Sequence, residues 1–128
     1  MRLLLDTHTL LWWLDGDRRM SKRARALVGR EANEVCVSAA SAWEITTKWR
    51  LGKLPGAAEV AADVAGAVAS QVFLPLSITL AHAQLAGRLA TDHRDPFDCM
   101  LAAQALVEGM PIVSNDEAFD LFGVMRLW

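Results

Sequence analysis

Four acidic residues sit at comparable places along this chain. Asp6 ends the apolar run Leu3-Leu4-Leu5, and Glu44 falls in the second turn of the helix expected after Val35-Cys36-Val37. Asp98 lies in the first turn of a helix opening at Pro96, and Asp116 follows the apolar part of Ile112-Val113-Ser114. Carboxylates brought together repel, and each then holds its proton more tightly than in water. A hard divalent cation removes that penalty. Mg²⁺ takes oxygen ligands in an octahedral shell and keeps several waters, so one or two direct carboxylates suffice while others orient water. A water on such an ion loses its proton readily and can attack a phosphodiester in line. The chain has no CxxC or HExxH pattern, so zinc is not expected.

Each acid also has a plainer reading. Asp6 can cap the helix beginning near His8. Glu44 can complete a capping box with Ser41 or pair with Lys48 four residues on. Asp95 and Asp98 both suit the positive end of a helix dipole, with Asp95 the better cap and Asp98 the better metal ligand. Asp116 can cap a last short helix. What joins the four is their common placement. The histidines His8, His82 and His93 are scattered and lack the partners of a nucleophilic triad; His82 reads as a helix-surface residue. Trp12, Trp13, Trp43 and Trp49 can stack on bases, but tryptophans at helical spacing more often pack in a core or an interface.

The elements that must position the acids follow from the hydrophobic pattern. With 128 residues, 53% of them apolar, and mean hydropathy +0.22, a single packed domain over 1–128 is expected. Short apolar runs at 3–5, 35–37, 72–76, 112–114 and 124–128 read as strands, with Pro75 marking an end or an edge. Between them lie helices from Thr7, from Ser21, from Ser38 to about Trp49, over 57–70, from Thr79 to about Ala90, from Pro96 to about Glu108, and from Asp116 to Phe122. This alternation predicts an α/β fold, a mainly parallel sheet with helices on both faces. The strand ends would then share one edge, where ligands of open α/β sheets gather.

Net charge is −2, but residues 1–53 carry ten Lys/Arg against six Asp/Glu, and residues 54–128 three against nine. That asymmetry suits a basic rim beside an acidic cleft, or simply solvated helix faces. Cys36 and Cys99 share no metal-type spacing and read as small apolar residues in a reducing compartment. Neither a signal-peptide core nor a membrane-length apolar run is present, which points to a soluble, cytoplasmic protein.

DTHTLLWWL at 6–14, VSAASAWEITTKWRLGKL at 37–54, HRDPFDCMLAAQA at 93–105 and IVSNDEAF at 112–119 together resemble PIN-domain ribonucleases. More narrowly, they resemble the VapC-type toxins of prokaryotic type II toxin–antitoxin pairs. The resemblance spans nearly the whole chain in order. It implies a three-layer α/β/α fold around a parallel, usually five-stranded sheet, and Mg²⁺- or Mn²⁺-dependent endonucleolytic cleavage of RNA. The family's acidic positions fall on Asp6, Glu44, Asp98 and Asp116. Thr7, Ser114 and Asp95 fall at supporting positions, Ser114 where it helps hold the metal-bound water or phosphate. Cys99 stands where an arginine is frequent, which bears on RNA contacts near Asp98. The resemblance also implies a homodimer and a cognate antitoxin, with the early tryptophan-bearing helices as its groove. Two other functions compete. An aspartyl phosphotransferase or phosphatase would use Asp6 as nucleophile, but it usually has a second carboxylate two residues on, where this chain has His8. A metal-binding interaction module without catalysis is the other.

Overall fold

The computed structural model describes residues 1–89 and 95–128. Five short strands form one sheet: β1 (Arg2–Leu5), β2 (Glu34–Ser38), β3 (Leu74–Leu76), β4 (Ile112–Val113) and β5 (Arg126–Leu127). Their spatial order is β3-β2-β1-β4-β5, and every pairing is parallel. Leu4 is in register with Cys36 on one side and Ile112 on the other, so β1 is the central strand. The chain runs outward from β1 through β2 to β3, then returns to start β4 on the opposite side of β1. The order therefore reverses between β1 and β4, and a crevice opens there beyond the strand ends.

Side-chain alternation explains the three layers. Leu3 and Leu5, with Val35, Val37 and Val113, face a cluster containing Leu10, Met20, Ala24, Ile45, Val64 and Val68. Those residues come from α1 (Thr7–Asp15), α2 (Lys22–Gly29), α3 (Ala39–Arg50) and α5 (Val64–Ser70), and from the segment before α2. Leu4, Cys36 and Ile112 face the other way, onto Leu101, Ala102, Ala105 and Phe119. Here the cover is α7 (Pro96–Glu108) and a 3₁₀ turn over Glu117–Phe122. Successive strand residues point to opposite faces, so an unbroken leucine run serves both cores. Each of these leucines is without exposed surface, a burial that stabilises by roughly 2 kcal/mol per side chain. The layers are α/β/α, as the sequence pattern predicts.

Several details differ from that pattern. The helix expected over 57–70 is a 3₁₀ turn Pro55–Ala57, then α4 (Ala58–Ala62) and α5, broken at Asp63. Asp63 leaves helical geometry at φ −156° and its carboxylate accepts from Gly66 N at 2.9 Å, a local cap that outcompetes helix continuation. The strand expected from Val72 begins at Leu74, because Val72 takes a left-handed φ of 59° and lies 86% exposed, turning Phe73 into the core. Pro75 sits inside β3, which is an edge strand and tolerates a missing N–H. The last helix is 3₁₀, and β5 is shorter than 124–128.

His82 is not a surface residue. It lies in α6 (Leu80–Arg88), 1% exposed, and closes a capping box in which Thr79 N donates to its Nδ1 at 3.0 Å. Gln104 Nε2 approaches the same nitrogen at 3.4 Å from α7.

Asp63→Ala should lower the unfolding free energy by about 1 kcal/mol, the usual loss for a helix cap. Gly66→Ala should also destabilise, although alanine is the better helix former, because its Cβ would meet Asp63 Oδ2 at 2.2 Å. Urea unfolding followed by circular dichroism checks both; a more stable Gly66→Ala would show that the cap does not hold this break.

Candidate active site

The crevice between β1 and β4 is closed by hydrogen bonds from residues just past the two strands. Asp6, 5% exposed, caps α1: its Oδ1 accepts from Thr7 N at 2.7 Å. Its Oδ2 accepts from Ser114 Oγ at 2.7 Å, and Ser114 Oγ in turn accepts from Asp116 N at 3.0 Å. One buried hydroxyl thus links the residue after β1 to the loop after β4. Asp116 caps the 3₁₀ turn, its Oδ1 accepting from Ala118 N at 2.9 Å. Thr7 Oγ1 and Ser41 Oγ share a hydrogen bond of 2.9 Å that ties α1 to α3, and Thr9 Oγ1 donates to Val113 O at 2.9 Å.

Glu44 enters from the second turn of α3. It does not form a capping box with Ser41; Ser38 is the cap, accepting from Ala40 N at 2.9 Å. Glu44 is 2% exposed, and Lys48 Nζ donates to its Oε2. Its other oxygen, Oε1, is buried without a hydrogen-bond partner among the described residues. From α7, Asp95 caps the helix by accepting from Phe97 N at 2.9 Å, and Asp98 is buried one turn in.

These groups line one cleft of about 630 Å³: Asp6, Glu44, Asp95, Asp98, Asp116 and Glu117, with His8, Trp12, Arg19 and Asn115 completing the wall. All four acids singled out from sequence are among them, and Thr7 and Ser114 lie buried behind Asp6. Among the described residues, no three His, Cys, Asp or Glu side chains stand close enough to make a ready metal cluster. Their other bonds explain this: Asp6, Asp95 and Asp116 cap helices, and Glu44 is turned toward Lys48. His93 lies outside the described residues.

Electrostatics match this crowding. Burial holds the Asp6 carboxyl above the usual carboxylate range and the Glu44 charge adds to it, while Ser114, His8 and the Thr7 amide pull the other way. Burial works against the Lys48 charge, but the Glu44 hydrogen bond and the charges of Glu44, Asp95 and Asp98 outweigh it and raise its pKa. The Cys99 thiol is raised by burial, then by Asp98 and Asp95. The residues fit a hard divalent cation: the charged donors are oxygens, and a buried carboxylate oxygen of Glu44 has no other partner.

Sequence reasoning missed Glu117, Asn115 and Arg19. Glu117 and Asn115 flank Asp116 and are reachable once that loop is placed. Arg19 carried no signal: it comes from the turn before α2, forks onto Asp17 at 2.7 and 3.1 Å, and lays its guanidinium 5.0 Å over the Trp12 ring.

Fold and cleft together define a parallel α/β/α domain with an acidic crevice at its strand-order reversal. The family model for the PIN domain matches residues 3–124, and the chain belongs to the PIN-domain family. PIN domains are generally nucleases and typically depend on a divalent metal. No curated protein matches the chain. Solved structures do, at the level of the fold. VapBC2 from Rickettsia felis bound to a DNA fragment from their promoter is similar at 13% identity and TM-score 0.70, over 99% of this chain and 98% of that one. DNA-bound VapBC from Salmonella typhimurium is similar at 17% identity and TM-score 0.66, over 99% and 97%. FitAcB from Neisseria gonorrhoeae is similar at 17% identity and TM-score 0.62, over 98% and 96%. No helix of the described residues is long and apolar enough to cross a membrane.

Because Asp6 binds its proton more tightly folded than unfolded, its ionised form opposes folding above the folded pKa, and the effect vanishes below the ordinary carboxylate range. In EDTA at pH 7, Asp6→Asn should therefore melt a few degrees higher than the parent, on the order of 1 kcal/mol. The gap should narrow as pH falls toward the unfolded value of 3.8. Thermal melts across pH read this, and a variant less stable at every pH would refute it.

Proposed function

We propose that this chain is the toxin of a VapBC-type toxin–antitoxin pair, and a divalent-metal-dependent endoribonuclease. Mg²⁺ is the natural ion and Mn²⁺ a substitute. The observation that carries the reading is the acidic cleft at the carboxyl edge of the sheet, with a buried Glu44 oxygen that has no partner among the described residues. Membership in a family of nucleases supports it.

Asp6, Glu44, Asp98 and Asp116 are the ligand and catalytic set. When bound, the ion supplies a more acidic water and offsets charge on the phosphoryl oxygens. The chain's own residues do the positioning. Ser114 and the Thr7 amide fix the Asp6 carboxylate, whose oxygens each retain acceptor capacity toward the cleft. Through Asp116 N, Ser114 also sets where the Asp116 loop leaves β4. Asp95 anchors the first turn of α7 and so places Asp98. Arg19, stacked over Trp12 and forked onto Asp17, places a positive charge at the cleft wall, where it would draw an RNA backbone toward the acids. The phosphotransferase reading fares poorly, since His8 stands where that chemistry usually has a second carboxylate.

An antitoxin segment would seat in the groove of about 230 Å³ beside the cleft, where Leu11, Trp12, Leu54, Ala57 and Val60 supply apolar lining. Trp43, 61% exposed and edge-on to Phe97 at 4.9 Å, is available to an interface. A homodimer within a larger toxin–antitoxin assembly, working in the cytoplasm, completes the proposal.

Purified protein freed of any partner should cut RNA in Mg²⁺ and not in EDTA. Asp6→Asn and Asp116→Asn should fold yet lose at least about 100-fold in rate, which is ~2.7 kcal/mol of transition-state stabilisation. Ser114→Ala should lose about 10- to 100-fold, as for groups that orient ligands. Cleavage persisting in either aspartate variant would overturn the assignment, and metal binding without breakage of any RNA tested would favour the non-catalytic module.

A further inference from the structure

Lys48 lies one helical turn beyond Glu44 on α3, and its ammonium is directed inward. It donates to Glu44 Oε2, stands 4.0 Å from Asp95 Oδ2, and passes 5.9 Å from the centre of the Phe97 ring. Its side chain is 26% exposed and that of Glu44 is 3% exposed. This is unlike an ordinary surface pair, which contributes little. Removing one partner of a buried pair leaves an uncompensated buried charge. The ammonium thus does for Glu44 part of what a metal ion would do for the whole cleft. A divalent ion drawn by Glu44, Asp98 and Asp6 would arrive a few ångströms from a fixed positive charge, and like charges at that distance in a partly dry site repel strongly.

We propose that Lys48 is a built-in counter-ion of the acidic cleft: it holds Glu44 in the metal-free protein and weakens the site's affinity for its divalent ion. The inference rests on the reading of the cleft as a metal site. Lys48 is then a positioning residue that sets how much metal the site requires. The raised Lys48 pKa agrees, since the acids facing it outweigh its burial. The unpartnered Glu44 Oε1 agrees as well, since the lysine satisfies one oxygen and leaves the other for a second cation. A merely structural pair between adjacent helical turns would leave metal affinity alone.

The test is Mn²⁺ binding to the purified protein without RNA, followed by the electron paramagnetic resonance of free Mn²⁺. Wild type should bind and Asp116→Asn should bind more weakly. Lys48→Met and Lys48→Gln should bind at least about fivefold more tightly than wild type, whereas Lys48→Arg, which keeps the charge, should stay within about twofold. In EDTA the two neutral variants should melt below wild type, and Mn²⁺ should raise their melting temperatures by more than it raises the parent's. If wild type binds Mn²⁺ and the neutral variants bind equally or more weakly, the counter-ion role is refuted while the metal site stands. If wild type binds none, the metal site itself fails and this inference fails with it. Neutral variants that stay unfolded even in Mn²⁺ would also refute it, because the ion should replace the lost charge.

Discussion

The constraint that governs this molecule is repulsion among carboxylates that the sheet delivers to one place. A parallel sheet puts all its strand ends on one edge, and the reversal between β1 and β4 opens a crevice there. Six acids line that crevice. Local devices make four of them tolerable. Asp6, Asp95 and Asp116 sit at helix starts, where free N–H groups and the helix dipole favour a negative charge. Asp6 gains the Ser114 hydroxyl as well. Glu44, mid-helix and without such help, takes an ammonium. The plain and the functional readings of these residues are therefore not rivals. Capping is how a buried acid survives beside others.

Much of this was legible in the sequence because it follows from short-range chemistry. The apolar runs at 3–5, 35–37 and 112–114 locate the strands, and an acid right after such a run must lie at the strand-end edge. Asp6 is placed by that argument, whereas Ser114, inside the last of these runs, comes forward only through the family resemblance. Asp95 as cap and Asp98 as the inward residue follow from Pro96 at the first helical position. The proposed catalytic roles of the four acids draw on both their shared cleft and the family of nucleases to which the chain belongs.

What was not legible depended on contacts across the fold. His82 looked like a surface histidine because its neighbours in sequence are alanines, a leucine and a glutamine. Nothing local shows that Gln104, twenty-two residues on, would reach its ring at 3.4 Å. Thr79 was read correctly as a cap, but the reciprocal bond from Thr79 N to the imidazole needs an acceptor type that the usual Glu or Gln pattern does not include. The break at Asp63 failed for the opposite reason. The periodicity of 57–70 is good, but the Asp63 side chain offers the backbone a competing bond that periodicity does not register. Arg19 was invisible because a turn residue's reach depends on where the turn ends up.

The placement of Glu44 relative to Asp98 depends on one further buried contact. Ser38, the cap of α3, donates its hydroxyl to Gln104 of α7, which has no exposed surface and also donates to Ser77 O at 3.3 Å. Apolar burial between two helices is non-directional and sets their register less sharply than a directional hydrogen bond does. A fully buried amide resists a shift, because each lost bond leaves a desolvated polar atom behind. Ser38 and Gln104 therefore fix the register of the helix carrying Glu44 against the helix carrying Asp98. The hydroxyl of Ser114 does the same for the loops carrying Asp6 and Asp116. The apolar layers hold the domain together, but these two polar links set how far apart its carboxylates stand.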